Sequence, residues 1–129
     1  MPDLQGAEHG MDRRVRKVVQ LLQHAWRLPL RVSDLARDVG LGCSRLEHLF
    51  QEQARISIRD FIRERRLTAA AAMLETTEER ISTISYNVGF RDVSNFNHAF
   101  KKRYGLTPRQ YRERQQSAMP LEDAAERTK

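Results

Sequence analysis

The side chains able to do chemistry in this 129-residue chain are few, and their spacing excludes more than it suggests. Its four histidines, His9, His24, His48 and His98, are scattered, and none stands at a useful distance from a nucleophile or carboxylate partner. With one cysteine, Cys43, there is no internal disulfide and no zinc-ligand spacing, so neither a catalytic constellation nor a metal site is expected. What does recur is a set of hydrogen-bonding side chains early in two similar segments. Ser44, Arg45, Glu47 and His48 stand in the first, and Val93, Ser94, Asn97 and His98 follow Asp92 in the second. Such groups suit the edges of base pairs. Glu can accept from cytosine N4, His can donate to guanine N7 or O6, Asn pairs bidentately with adenine, and Val fits a thymine methyl. Arg45, Arg91, Lys101 and Lys102 are matching candidates for phosphate, a contact that positions a protein without specifying sequence.

The charge balance agrees with a polyanion partner. Lys and Arg number 23 against 17 Asp and Glu, a formal charge of +6. Residues 1–11 contribute −2 and residues 115–129 contribute −1, which leaves +9 on residues 12–114, where the folded part is expected. No apolar run approaches the roughly 20 residues that span a bilayer, so no membrane partner is expected and the reading is of a cytoplasmic protein.

The elements that must hold these groups are all helical. Val15, Val18, Val19, Leu22 and Trp26 recur at three- and four-residue spacing, which predicts a helix from Asp12 that ends before Pro29. No alternating stretch asks for a strand. The strongest signal is an internal repeat. Residues 31–41 align with residues 80–90 at an offset of 49, and one inserted residue then shifts the offset to 50, so that Leu46, His48 and Phe50 match Phe96, His98 and Phe100. Each copy has the frame of a helix-turn-helix. A small residue, Ala36 or Ser85, lets the second helix cross closely, and Gly40 or Gly89 four residues later permits a left-handed turn. Between the copies, Ser57 with Asp60 three residues on opens a predicted linker helix over 57–75, a rod of about 27 Å. Phe50, Phe61, Phe90, Phe96, Phe100 and Tyr111 fall inside this frame and read as core; a platform for stacking single-stranded bases is the alternative.

The fold expected is therefore all-α, about seven helices, with a tail or linker stub at 1–11, a first helix-turn-helix subdomain at 12–56, the linker helix at 57–75, a second subdomain at 76–114 and a flexible tail at 115–129. In such a motif the start of the second helix enters the major groove, so the candidate readers are its outward residues: Ser44, Arg45, Glu47 and His48 in the first copy, and Val93, Ser94, Asn97 and His98 in the second. Asp92 reads as a cap rather than a reader. The other class of function compatible with these residues is a basic helical module that binds an acidic protein.

These residues resemble the AraC/XylS family of transcription regulators. The resemblance covers about residues 12–112 and is most specific from Val88-Gly89-Phe90-Arg91-Asp92 through Phe96, Phe100-Lys101-Lys102 and Gly105 to Thr107-Pro108 and Tyr111-Arg112. Arg66-Leu67, Ala70 and Met73-Leu74 resemble the family's linker helix, and Met11 to Arg16 resembles the entry to the DNA-binding domain in one of its members. The resemblance implies sequence-specific binding of double-stranded DNA by two recognition helices in successive major-groove segments, with Ser44, Glu47 and His48 at the family's base-contacting positions. It also implies transcription activation with RNA polymerase as partner, a location at the bacterial nucleoid, and a domain that is itself monomeric. No cofactor is expected, and no effector site within these 129 residues. The chain departs from the family pattern at Arg31 and Arg80, where a Ser or Thr cap is usual, at Gly42, where Ser is favoured, and at Arg55, which replaces a Gly. Ser33 and Ser82 are expected to cap their helices one turn late.

Overall fold

A computed structural model describes residues 10–117. Seven helices run through them: α1 (Arg13–Ala25), α2 (Val32–Asp38), α3 (Cys43–Ala54), α4 (Ile58–Thr76), α5 (Ile81–Asn87), α6 (Val93–Tyr104) and α7 (Pro108–Ser117). There is no strand among the described residues. The chain forms two compact units, Met1–Arg66 and Leu67–Lys129, so the division falls inside α4 and not at either of its ends.

In the first unit, α1 starts where Asp12 accepts the backbone N–H of Arg14 at 2.8 Å, and the Arg14 guanidinium closes on both carboxylate oxygens at 3.1 Å. The amide of Asp12 in turn donates to Gln53 Oε1 of α3 at 2.6 Å. Val15, Val18, Val19 and Leu22 turn inward from α1. They share one core with Leu35, Ala36, Leu46, Leu49, Phe50, Ile58 and Phe61, and Phe50 meets Phe61 edge to face at 6.0 Å. Met11 joins this core at 6% exposure, so the expected tail at 1–11 ends before it. An apolar side chain set just ahead of the Asp12 cap is held by the same burial that fixes Val15. Residues 1–9 of that expected tail lie outside the described residues.

The turn of the first motif is a positive-φ glycine, Gly40 at +74°, with Leu41 N–H returning to the Ala36 carbonyl at 2.9 Å. The second motif repeats it: Gly89 lies at +104° and Phe90 N–H returns to the Ser85 carbonyl at 3.0 Å. Both recognition helices also end alike, α3 on Arg55 at φ 63° and α6 on Gly105 at φ 78°. Only glycine holds that left-handed conformation without steric strain. Arg55 is the one non-glycine residue with positive φ among those described.

The second unit buries Leu67, Ala70, Ala71, Leu74, Ile84, Val88, Phe96 and Phe100. Its rings form a chain in which Phe100 lies 5.7 Å from Phe96, 4.5 Å from Tyr104 and 5.3 Å from Tyr111. These rings are engaged with one another, as the core reading expects. Ser85, which stands where the first motif has Ala36, is fully buried and its hydroxyl has no partner.

Several expected boundaries shift. The linker helix runs Ile58–Thr76 where 57–75 was expected, with Ser57 Oγ capping the amide of Asp60 at 3.1 Å. Helix α7 continues through Ser117, where a flexible tail was expected from 115; residues 118–129 of that expectation lie outside the described residues. The serines do not act as late caps. Helices α2 and α5 begin at Val32 and Ile81, ahead of Ser33 and Ser82, because the backbone already closes on the carbonyls of Arg31 and Arg80.

Candidate nucleic-acid interface

Burial along α3 separates a packing face from a free one. Leu46, Leu49 and Phe50 are buried, and Ser44, Arg45, Glu47 and His48 are all exposed. The helix starts on Gly42, which offers no side-chain cap, and its first residue is the exposed Cys43. Nothing bulky therefore covers the first turn. The four candidate side chains of this helix stand together on one solvent-facing surface of its N-terminal half.

Helix α6 carries the equivalent surface with a firmer start. Asp92 accepts the amides of Ser94 at 2.7 Å and Asn95 at 3.3 Å, so its carboxylate is committed to the cap, as expected. Ser94 and His98 are exposed, whereas Val93 and Asn97 are half-buried at the margin of that face. Arg91, Lys101 and Lys102 are exposed, as is Arg45 on α3, so all four phosphate candidates lie open to a polyanion. Asn95 was not singled out by sequence reasoning, yet it is exposed in the first turn of α6. The repeat carried the signal for it, because an offset of 50 matches Asn95 with Arg45.

The arrangement has the chemistry of groove recognition and not of catalysis. It presents donors and acceptors on rigid helices, flanked by cations, with each helix held by its own core. Among the described residues no group of His, Cys, Asp and Glu could hold a metal ion. No described helix is long and apolar enough to cross a membrane.

Comparison with known proteins gives the same picture. A family model described as a helix-turn-helix domain matches residues 35–114. The arabinose operon regulatory protein of Escherichia coli K12 is 37% identical over 103 residues, covering 79% of this chain and 35% of its own length. The chain thus spans about a third of the length of that curated relative. Among solved structures, the C-terminal domain of the response regulator AraT from Geobacillus stearothermophilus aligns with a TM-score of 0.73 at 28% identity, covering 80% of this chain and 86% of that one. A transcriptional regulator with an AraC-type DNA-binding domain from Chromobacterium violaceum aligns with a TM-score of 0.70 at 27% identity, covering 83% and 94% respectively.

Proposed function

The chain belongs to the AraC/XylS family of helix-turn-helix regulators, and we propose that it is the sequence-specific, double-stranded-DNA-binding part of a transcription activator. The observation that carries this reading is the duplicated exposed face: two helices on matched turns, each turning hydrogen-bonding side chains outward beside exposed basic ones. Each recognition helix inserts its N-terminal half into a major groove. Ser44, Glu47 and His48 read bases from α3, and Val93, Ser94, Asn97 and His98 read them from α6. Arg45, Arg91, Lys101 and Lys102 hold phosphates. The domain acts as a monomer in the bacterial cytoplasm, at the nucleoid, and it recruits RNA polymerase. No effector site is assigned within these residues, and the curated relatives are more than twice as long as the chain.

Selection of bound duplexes from a random pool, followed by titration at several salt concentrations, tests this. A consensus should emerge and keep its advantage over scrambled DNA at each salt concentration. His48→Ala should relax the preference at one position of that consensus while Lys101→Ala weakens every duplex equally. Failure to enrich any sequence, with binding instead to an acidic protein, would overturn the reading in favour of a protein-interaction module.

A further inference from the structure

The two motifs share a frame but differ in electrical character. From Arg31 to Arg55 four arginines face four carboxylates, Asp34, Asp38, Glu47 and Glu52, so the first motif is neutral. In the matched span from Arg80 to Gly105, five basic residues face a single carboxylate, Asp92, for a net charge of +4. Asp92 is moreover engaged in capping α6.

The difference is concentrated on the faces that carry the readers. At the repeat offset of 50, Glu47 matches Asn97, Gln51 matches Lys101 and Glu52 matches Lys102. Residues four apart on a helix stand above one another. Glu52 therefore lies in the column of His48, and Lys102 in the column of His98. Glu47, Glu52, Lys101 and Lys102 are all exposed, and no ion pair ties either glutamate to a neighbouring cation among the described residues.

We propose that the two motifs divide the work on DNA unequally: the second, besides its base readers, is the main anchor on phosphates, and the first is the stricter discriminator, selecting through Glu47. This rests on the DNA-binding reading above. A lysine beside a duplex releases counterions whatever the base sequence, and each phosphate neutralised steepens the salt dependence by about one unit. A carboxylate beside the same duplex is repelled everywhere except where a base offers it a donor, cytosine N4 above all. Glu47 thus rejects most sequences and is tolerated by few, which is selectivity obtained by penalising the wrong partner. Glu52 adds to the repulsion without a base to satisfy it. Within Arg31–Arg55 the first motif has no surplus charge of its own; the surplus of its subdomain lies ahead of it, at Arg13, Arg14, Arg16, Lys17 and Arg27.

The test uses the full chain with its selected duplex and a scrambled one, each titrated across salt. Glu47→Gln should tighten binding to the scrambled duplex about threefold to tenfold and narrow the gap between the two duplexes. The double variant Lys101→Ala/Lys102→Ala should weaken both by the same factor and make the salt slope shallower by about two units. Glu52→Lys, which copies the second motif into the first, should strengthen binding to both duplexes and steepen the slope. All these side chains are exposed, so unchanged melting separates lost binding from lost folding. If wild-type protein binds its selected duplex but Glu47→Gln leaves scrambled binding unchanged, the division of labour is wrong and the DNA reading survives. If wild-type protein binds no duplex with salt dependence, both fall together.

Discussion

Arg66 and Arg112 each grip two carbonyls, one of them matched by the repeat, from unmatched positions. Arg66 donates from Nη2 to Leu28 O at 2.9 Å and from Nε to Trp26 O at 2.8 Å. Arg112 donates from Nη2 to Thr77 O at 3.1 Å and from Nε to Leu74 O at 3.4 Å. Leu28 and Thr77 are equivalent at the offset of 49, yet Arg112 is equivalent to Ile62, one helical turn before Arg66. In each unit a guanidinium fork on one helix thereby fixes the chain entering the helix-turn-helix, and it satisfies carbonyls released where a preceding helix ends.

Arg66→Ala should therefore destabilise the first unit by about 2 kcal/mol, since two charge-assisted hydrogen bonds are lost and the Trp26 carbonyl is left without its donor. Lysine cannot supply the fork, so Arg66→Lys should recover less than half. Chemical denaturation of the three proteins checks this, and a loss below about 0.5 kcal/mol for alanine would mean that the fork is an ordinary surface contact.

Arg55→Gly should stabilise the protein by about 0.5 to 1 kcal/mol. It removes the strain of a side chain at φ 63° and is offset by the greater freedom of glycine in the unfolded chain. Gly105→Arg, the reverse change at the equivalent position, should lower stability by about 1 kcal/mol. Midpoints of urea unfolding that move in the same direction for both variants would contradict this account of the helix ends.

Ser85→Ala should raise stability by about 1 kcal/mol, because it deletes a buried hydroxyl that has no partner and restores the residue the first motif uses. Ala36→Ser should do the opposite at the matched position. Thermal melting of the pair reads the sign directly, and a destabilised Ser85→Ala would reveal a hydrogen bond that the static structure does not contain.

Acid should loosen the start of α1. The hydrogen bond from the Arg14 side chain, joined by the Arg14 backbone amide, lowers the Asp12 carboxyl to about 2. A depressed carboxyl stabilises the fold fully above its unfolded value of about 4 and loses that contribution as pH falls toward its folded value. Melting should decline between about pH 4 and pH 2 by more in the wild type than in Asp12→Asn, which keeps a capping oxygen without the charge. Identical acid profiles would show that the ion pair contributes nothing.

The all-α architecture and the two turns were legible because burial imposes a period on helices and positive φ imposes glycine, and the chain repeats both. The cap at Asp92 and the outward set on α3 followed from position alone. What sequence could not show was where packing overrides local preference. Ser33 and Ser82 are good caps by type, but the backbone closes two residues earlier, on Arg31 and Arg80. The division at Arg66 was hidden for a similar reason. The apolar positions of α4 reveal that it packs, not which of two cores each half joins. Val93 and Asn97 looked as free as Ser94, yet both are half-buried.

On the DNA-binding reading proposed above, the difference between the outward faces of α3 and α6 gives the bound molecule a direction. A regulator assembled from two identical chains reads a palindrome and looks the same from either side of its operator. Here one chain carries two unlike faces, so its operator has a left and a right end, and reversing the operator reverses the protein upon it. Any surface that meets the transcription machinery is then turned toward the start site in one orientation of the operator and away from it in the other. On that reading, two unlike motifs in one chain are enough to give a promoter its polarity.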